Sequence, residues 1–175
     1  MKLAIREYWQ NLKTEYESTY KVSIFSDYNV LKEYVECFKT YLNGLLHEHP
    51  HDLNIVCALA TVEQVLRHEE NSIQLLEEFL RKYIEELSDT DKARVYTNLA
   101  FYYNDEGNIK EYDYLSAAIK LKSPYIETYR GLALYHFSAY REKGSVEELK
   151  KSLHTFEKGT TVSDDYEMNF GYAVC

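Results

Sequence analysis

Histidine is the side chain most readily recruited for metal binding or proton transfer, and this chain carries three in alternation, His47, His49 and His51, followed by Asp52. On a helix, residues two apart point about 200° away from each other. Only an extended stretch would splay all three toward one ion, and Pro50 makes just part of it extended. The expectation is a solvated turn between helices and no metal site. His68 beside Glu69 and Glu70 lies in a charged stretch before Asn71, with no His-Glu-x-x-His pattern. His136 and His154 stand singly within helical patterns and read as helix-interface residues without a catalytic role. Adjacent acids (Asp105 and Glu106, Glu147 and Glu148, Asp164 and Asp165) come from a pool of 29 Asp and Glu, and none sits in an apolar run that would raise its pKa. Gly-x-Ser-x-Gly, phosphate-loop and dinucleotide-binding glycine patterns are missing. The expectation is therefore a non-enzyme with no cofactor.

The elements that would position these residues are helical throughout. Two prolines and six glycines are spread along the 175 residues and fall where helices should stop. The apolar periodicity predicts about nine helices, near residues 2–20, 28–47, 52–67, 72–87, 91–104, 109–122, 124–143, 146–158 and 165–175. Asp27, Asn71, Asp89 and Ser145 are expected N-caps, because their side-chain oxygens can accept from first-turn amides. Pro124 fits a first helical position, where its missing N–H costs nothing. Ile73, Leu76, Leu80, Ile84 and Leu87 form one apolar stripe, opposite Glu77, Glu78, Lys82, Glu85 and Glu86.

The helices recur. Pro50 and Pro124 each follow a helix ending in apolar residues, and their separation of 74 residues accommodates two units of about 37, a period at which helical solenoids repeat. In the clearest unit, Tyr96, Leu99, Ala100, Tyr103, Gly107 and Pro124 fall where tetratricopeptide repeats place an aromatic residue, Leu, a small residue, Tyr, Gly and Pro. The segment from Thr97 to Asn108 resembles that family's first helix and turn. The match departs where the family usually places a small residue in the second helix, because Glu111 or Tyr112 stands there. Leu59 and Ala60 mark a weaker register upstream; Tyr129, Leu132 and Ala133 mark one downstream.

The resemblance implies an all-α chain of antiparallel helix pairs stacked as a tetratricopeptide-like solenoid in one domain. Its parts would be a divergent helix pair over 1–51, helix-pair repeats over 52–90, 91–124 and 125–163, and a capping helix over 164–175. It also implies a partner-binding inner face formed by Arg94, Thr97, Phe101, Asn104 and Asp105, and by Glu127, Arg130, Leu134, Phe137 and Ser138. Asn54, Cys57, Thr61, Gln64 and Val65 occupy the equivalent places in the weaker unit. Several Lys and Asn residues with which family members grip a chaperone's carboxyl terminus are missing from this face.

Charge and composition narrow the partner. A net charge of −9 repels a phosphate backbone, and the densest basic stretch, Arg141 to Lys158, is interleaved with Glu142, Glu147, Glu148 and Glu157. Nucleic acid is not an expected partner. Three cysteines (Cys37, Cys57 and Cys175), an odd number with no close pair in sequence, an N-terminus without a signal-peptide core and no run long enough for a membrane span lead to the expectation of a cytoplasmic protein with no membrane partner. Eighteen tyrosines supply large apolar bodies with hydroxyls that can stay wet. The expected function is a protein- or peptide-binding adaptor whose partner is basic or mixes apolar and acidic groups. The alternatives are an immunity or inhibitor protein that occludes a basic toxin or effector, a peptide-sensing regulator, and a structural subunit that forms a homodimer through Tyr166, Phe170 and Val174 of its terminal helix.

Overall fold

The computed structural model of the chain describes residues 2–21, 23, 28–103 and 108–162. Among the described residues the fold is all-α, with eight α-helices packed in sequential antiparallel fashion. They are α1 (Lys2–Tyr20), α2 (Tyr28–Glu48), α3 (Leu53–Val65), α4 (Glu69–Tyr83), α5 (Asp89–Tyr102), α6 (Ile109–Lys120), α7 (Ile126–Lys143) and α8 (Val146–Thr160). A single 3₁₀ turn, Ile84–Glu86, follows α4. The ninth expected helix, and with it Tyr166, Phe170 and Val174, lies outside the described residues, as do Asp27, Asn104, Asp105 and Gly107.

Helix boundaries follow capping chemistry. Asp52 caps α3 by accepting from the Asn54 amide at 2.8 Å, and Ser145 caps α8 by accepting from the Glu148 amide at 3.4 Å. Several expected boundaries move. Ser88, not Asp89, caps α5: its hydroxyl accepts from the Asp91 amide at 3.1 Å and donates to the Asp91 carboxylate at 2.7 Å. Asn71 is no cap, because α4 begins two residues earlier with Glu69 and Glu70 in its first turn and ends with Arg81 and Lys82 in its last. Acids at the start and bases at the end both oppose the helix dipole. Pro124 stands outside α7, since Lys122 adopts a left-handed conformation (φ 55°) that reverses the chain, and the helix starts at Ile126. Arg67 (φ 61°) makes the same left-handed reversal after α3, shortening that helix to Val65.

The contacts divide the chain into two compact units, Met1–Tyr83 and Ile84–Cys175. In the first, α2 packs on α1 and α3, α1 also reaches α3, and α3 pairs with α4. Its core gathers Tyr34, Val35, Phe38, Leu42, Ile55, Leu59, Val62 and Leu66, with Trp9 meeting Tyr34 and Phe38 edge-on. The Tyr34 hydroxyl donates to the Trp9 carbonyl at 2.6 Å, so this tyrosine is core filler with a satisfied polar tip.

In the second unit, α5 pairs with α6, α6 with α7 and α7 with α8, and α5 also touches α7. Ala100, Leu115 and Leu132 form one core cluster, and Tyr129, Ala133 and Phe156 another. A buried hydroxyl relay joins α5 to α7: Thr97 donates to the Ala93 carbonyl at 2.8 Å or meets Thr128 at 2.7 Å, and Thr128 meets Ser123 at 2.8 Å. At the end of α7, Gly144 takes the left-handed conformation (φ 65°) that a helix stop requires.

Candidate binding surface and cleft

Three helices carry a buried Leu-Ala pair: Leu59 and Ala60 on α3, Leu99 and Ala100 on α5, Leu132 and Ala133 on α7. The small alanine allows close helix approach. Three residues past each alanine stands a polar side chain, Glu63, Tyr103 or His136. Each is tied to a residue in the following turn or helix, and Glu63 also to Lys39 of the preceding α2. Glu63 accepts from Lys39 at 2.9 Å and from His68 at 3.0 Å. The Tyr103 hydroxyl accepts from Lys110 at 2.7 Å. His136 Nδ1 donates to Glu148 Oε2 at 2.6 Å. Burial works against ionising Glu63, but the hydrogen bonds from Lys39 and His68 outweigh it and hold its carboxyl below the usual range.

The residues expected on an inner face separate into three groups. Phe101 and Leu134 are exposed, at 41% and 50%, among several large apolar side chains that reach solvent on the described helices. Glu127 and Ser138 are exposed as well, while Arg94, Arg130 and Phe137 are half-buried. Thr97 is buried in the relay with Thr128 and is withdrawn from any partner. In the first unit Thr61 and Val65 are exposed, and Cys57 is buried. The His47, His49, His51 stretch spans the end of α2 and the turn after it, with His51 against the Tyr83 ring at 4.2 Å. No group of three or more His, Cys, Asp or Glu side chains suited to a metal occurs among the described residues. No described helix is long and apolar enough to cross a membrane.

A second feature was not legible in sequence. Residues from α6, α7 and the start of α8 enclose an open cleft of about 310 Å³, lined by Tyr112, Tyr135, His136, Ala139 and Lys143, with Glu148 and Lys151 on its α8 side. His136 is 6% exposed. The Tyr112 and Tyr135 rings lie 5.4 Å apart, and each meets His136 edge-on at 5.8 and 5.9 Å. Glu148 also accepts from Lys151 at 2.7 Å. Its hydrogen bonds to Lys151 and His136 hold its carboxyl below the ordinary range, and the same contact raises the Lys151 ammonium. Burial raises the Tyr135 phenol, and the nearby Glu111 and Glu148 charges raise it further. Glu111, half-buried on α6, is pushed up to about 7 by burial.

Five of these cleft residues, Tyr112, Tyr135, His136, Glu148 and Lys151, come from three helices with no common spacing, so no motif announces them. The nearest signal was His136 standing singly within a helical pattern. No known family model, curated protein or solved structure matches the chain.

Proposed function

We propose that the chain is a non-catalytic, tetratricopeptide-like helix-pair protein that binds a protein or peptide partner across α5 and α7. The observation that carries this reading is the exposure of Phe101 and Leu134 on two helices already locked together by Thr97 and Thr128. A rigid pair of helices presenting apolar anchors beside Arg and Glu side chains suits a partner of mixed apolar and charged character, because buried anchors carry most interface energy. The repeat reading is supported by the helix starts: α3, α5 and α7 begin 36 and 37 residues apart. It is supported further by the Leu-Ala pairs and by the polar tie that follows each. An acidic chain of net charge −9 favours encounter with a cationic partner, the property an inhibitor of a basic protein needs.

The test is partner capture from native extract with the chain and with a Phe101→Ser, Leu134→Ser variant of unchanged helicity and melting temperature. One stoichiometric partner, lost in the variant, is the expected result. A partner retained by both, or none at any salt concentration, would remove α5 and α7 as the binding face.

A further inference from the structure

The α6–α7–α8 cleft holds a histidine arranged to receive a ligand. Glu148 accepts from His136 Nδ1–H at 2.6 Å, which makes that nitrogen the donor and leaves Nε2, an acceptor when the ring is neutral, as the other pole of the ring. Nε2 makes no hydrogen bond to the described residues, and no buried polar side-chain atom among them lacks a partner. An unbonded Nε2 therefore opens onto solvent space. The space that His136 lines is the cleft.

The cleft's chemistry selects among occupants. Its one lining carboxylate, Glu148, is already matched by His136 and Lys151, so it offers no spare anion to a cationic guest. An anionic guest would meet Lys143 and Lys151, but Lys151 is already held by Glu148 at 2.7 Å, and the guest would sit beside that carboxylate and near Glu111, both of which act on Tyr135. A neutral guest incurs neither cost. The remaining wall is made by Ile109, Ala139 and the Tyr112 and Tyr135 rings, with Ser145, whose hydroxyl already accepts from the Glu148 amide. Aromatic walls favour a further ring in edge or offset contact. A volume of about 310 Å³ is at the lower end of the range of small-molecule sites, about 300–1,000 Å³.

We propose that this cleft binds an uncharged phenol, its ring against Tyr112 and Tyr135 and its hydroxyl donating to His136 Nε2. The phenol is either a free small molecule or the tyrosine side chain of a peptide. Neither Phe101 nor Leu134 lines the site, and it stands or falls independently of the partner surface on α5 and α7.

The experiment is a nitrogen- and carbon-detected NMR titration of the full chain, following the His136 ring with p-cresol, toluene, and a capped Gly-Tyr-Gly peptide. In the free protein the ring should be the Nδ1–H tautomer. Adding p-cresol should move the Nε2 resonance, with p-cresol binding about two- to tenfold more tightly than toluene, the contribution of one hydrogen bond. A response to p-cresol alone identifies a free phenol, and a response to both p-cresol and peptide identifies a tyrosine side chain. In His136→Phe, toluene should still bind and the preference for p-cresol should vanish. An Nε2–H tautomer, an imidazolium ring at neutral pH, equal affinity for toluene and p-cresol, or no response at millimolar p-cresol would each overturn the proposal.

Discussion

Replacing Glu111 by Gln tests the electrostatic reading of the second unit most directly. Burial pushes this carboxyl from an ordinary 4.5 up to about 7, with no other cause contributing. At about 1.4 kcal/mol for each pKa unit the shift corresponds to a ceiling of roughly 3 kcal/mol. The side chain is only half-buried, so water screens it, and a cost of about 1–2 kcal/mol is the appropriate expectation. The sign follows from proton counting. Between the two pKa values the folded chain holds the proton more often than the unfolded chain, so stability falls as pH rises from 4.5 through 7. Gln keeps the shape and cannot ionise. The variant should therefore match the parent near pH 4 and exceed it by about 1–2 kcal/mol at pH 8, in urea denaturation followed by circular dichroism. A gap that does not change with pH, or a parent that is the more stable at pH 8, would refute the assignment.

Glycine positions give a three-way contrast in the same assay. Gly44, in a helix with nothing within 4 Å of an added Cβ, should gain about 0.8–1 kcal/mol on replacement by Ala. Gly131→Ala should be destabilising despite the same helical gain, because its Cβ would stand 3.1 and 3.3 Å from the two methyl carbons of Leu115, which is itself buried and unable to retreat; overpacking costs about 1–3 kcal/mol. Gly144→Ala should cost about 1 kcal/mol or more through its left-handed φ of 65°. Thr97→Val, which breaks the buried relay with Thr128, should lower stability by about 1–2 kcal/mol, while Thr97→Ser should recover most of it. Ser145→Ala and Ser88→Ala should each cost about 1 kcal/mol through loss of an N-cap, measured as a shift in urea midpoint.

Much of the fold was legible because helix periodicity and punctuation are local. Leu76 and Leu80 of the expected stripe are buried, while Ile73 is half-buried and Ile84 and Leu87 lie past the end of α4; Ser145 does cap α8. What failed was also local, but competitive. Ser88 outbid Asp89 because its hydroxyl reaches the Asp91 amide and carboxylate together, and a left-handed Lys122 displaced the start of α7 past Pro124. The surface was harder to read. Periodicity distinguishes Phe101 and Leu134 from Thr97 only if the neighbouring helix is known, since Thr97 faces Thr128, which lies 31 residues along the chain. The cleft was beyond sequence reasoning for the same reason. His136, Glu148 and Tyr112 acquire meaning from three helices meeting, and none of the three residues is unusual where it stands.

Trp9, the chain's one tryptophan, has an optical consequence. It lies in the first unit, with its ring against Tyr34 and Phe38. Indole emission therefore reports on Met1–Tyr83 alone, and the aromatic emitters described in Ile84–Cys175 are phenols. Excited selectively, Trp9 gives the melting of one unit without labels, while far-ultraviolet dichroism averages over both. Coincidence of the two signals would mean that the units unfold as a single cooperative body, and a lag between them would measure their independence in one cuvette.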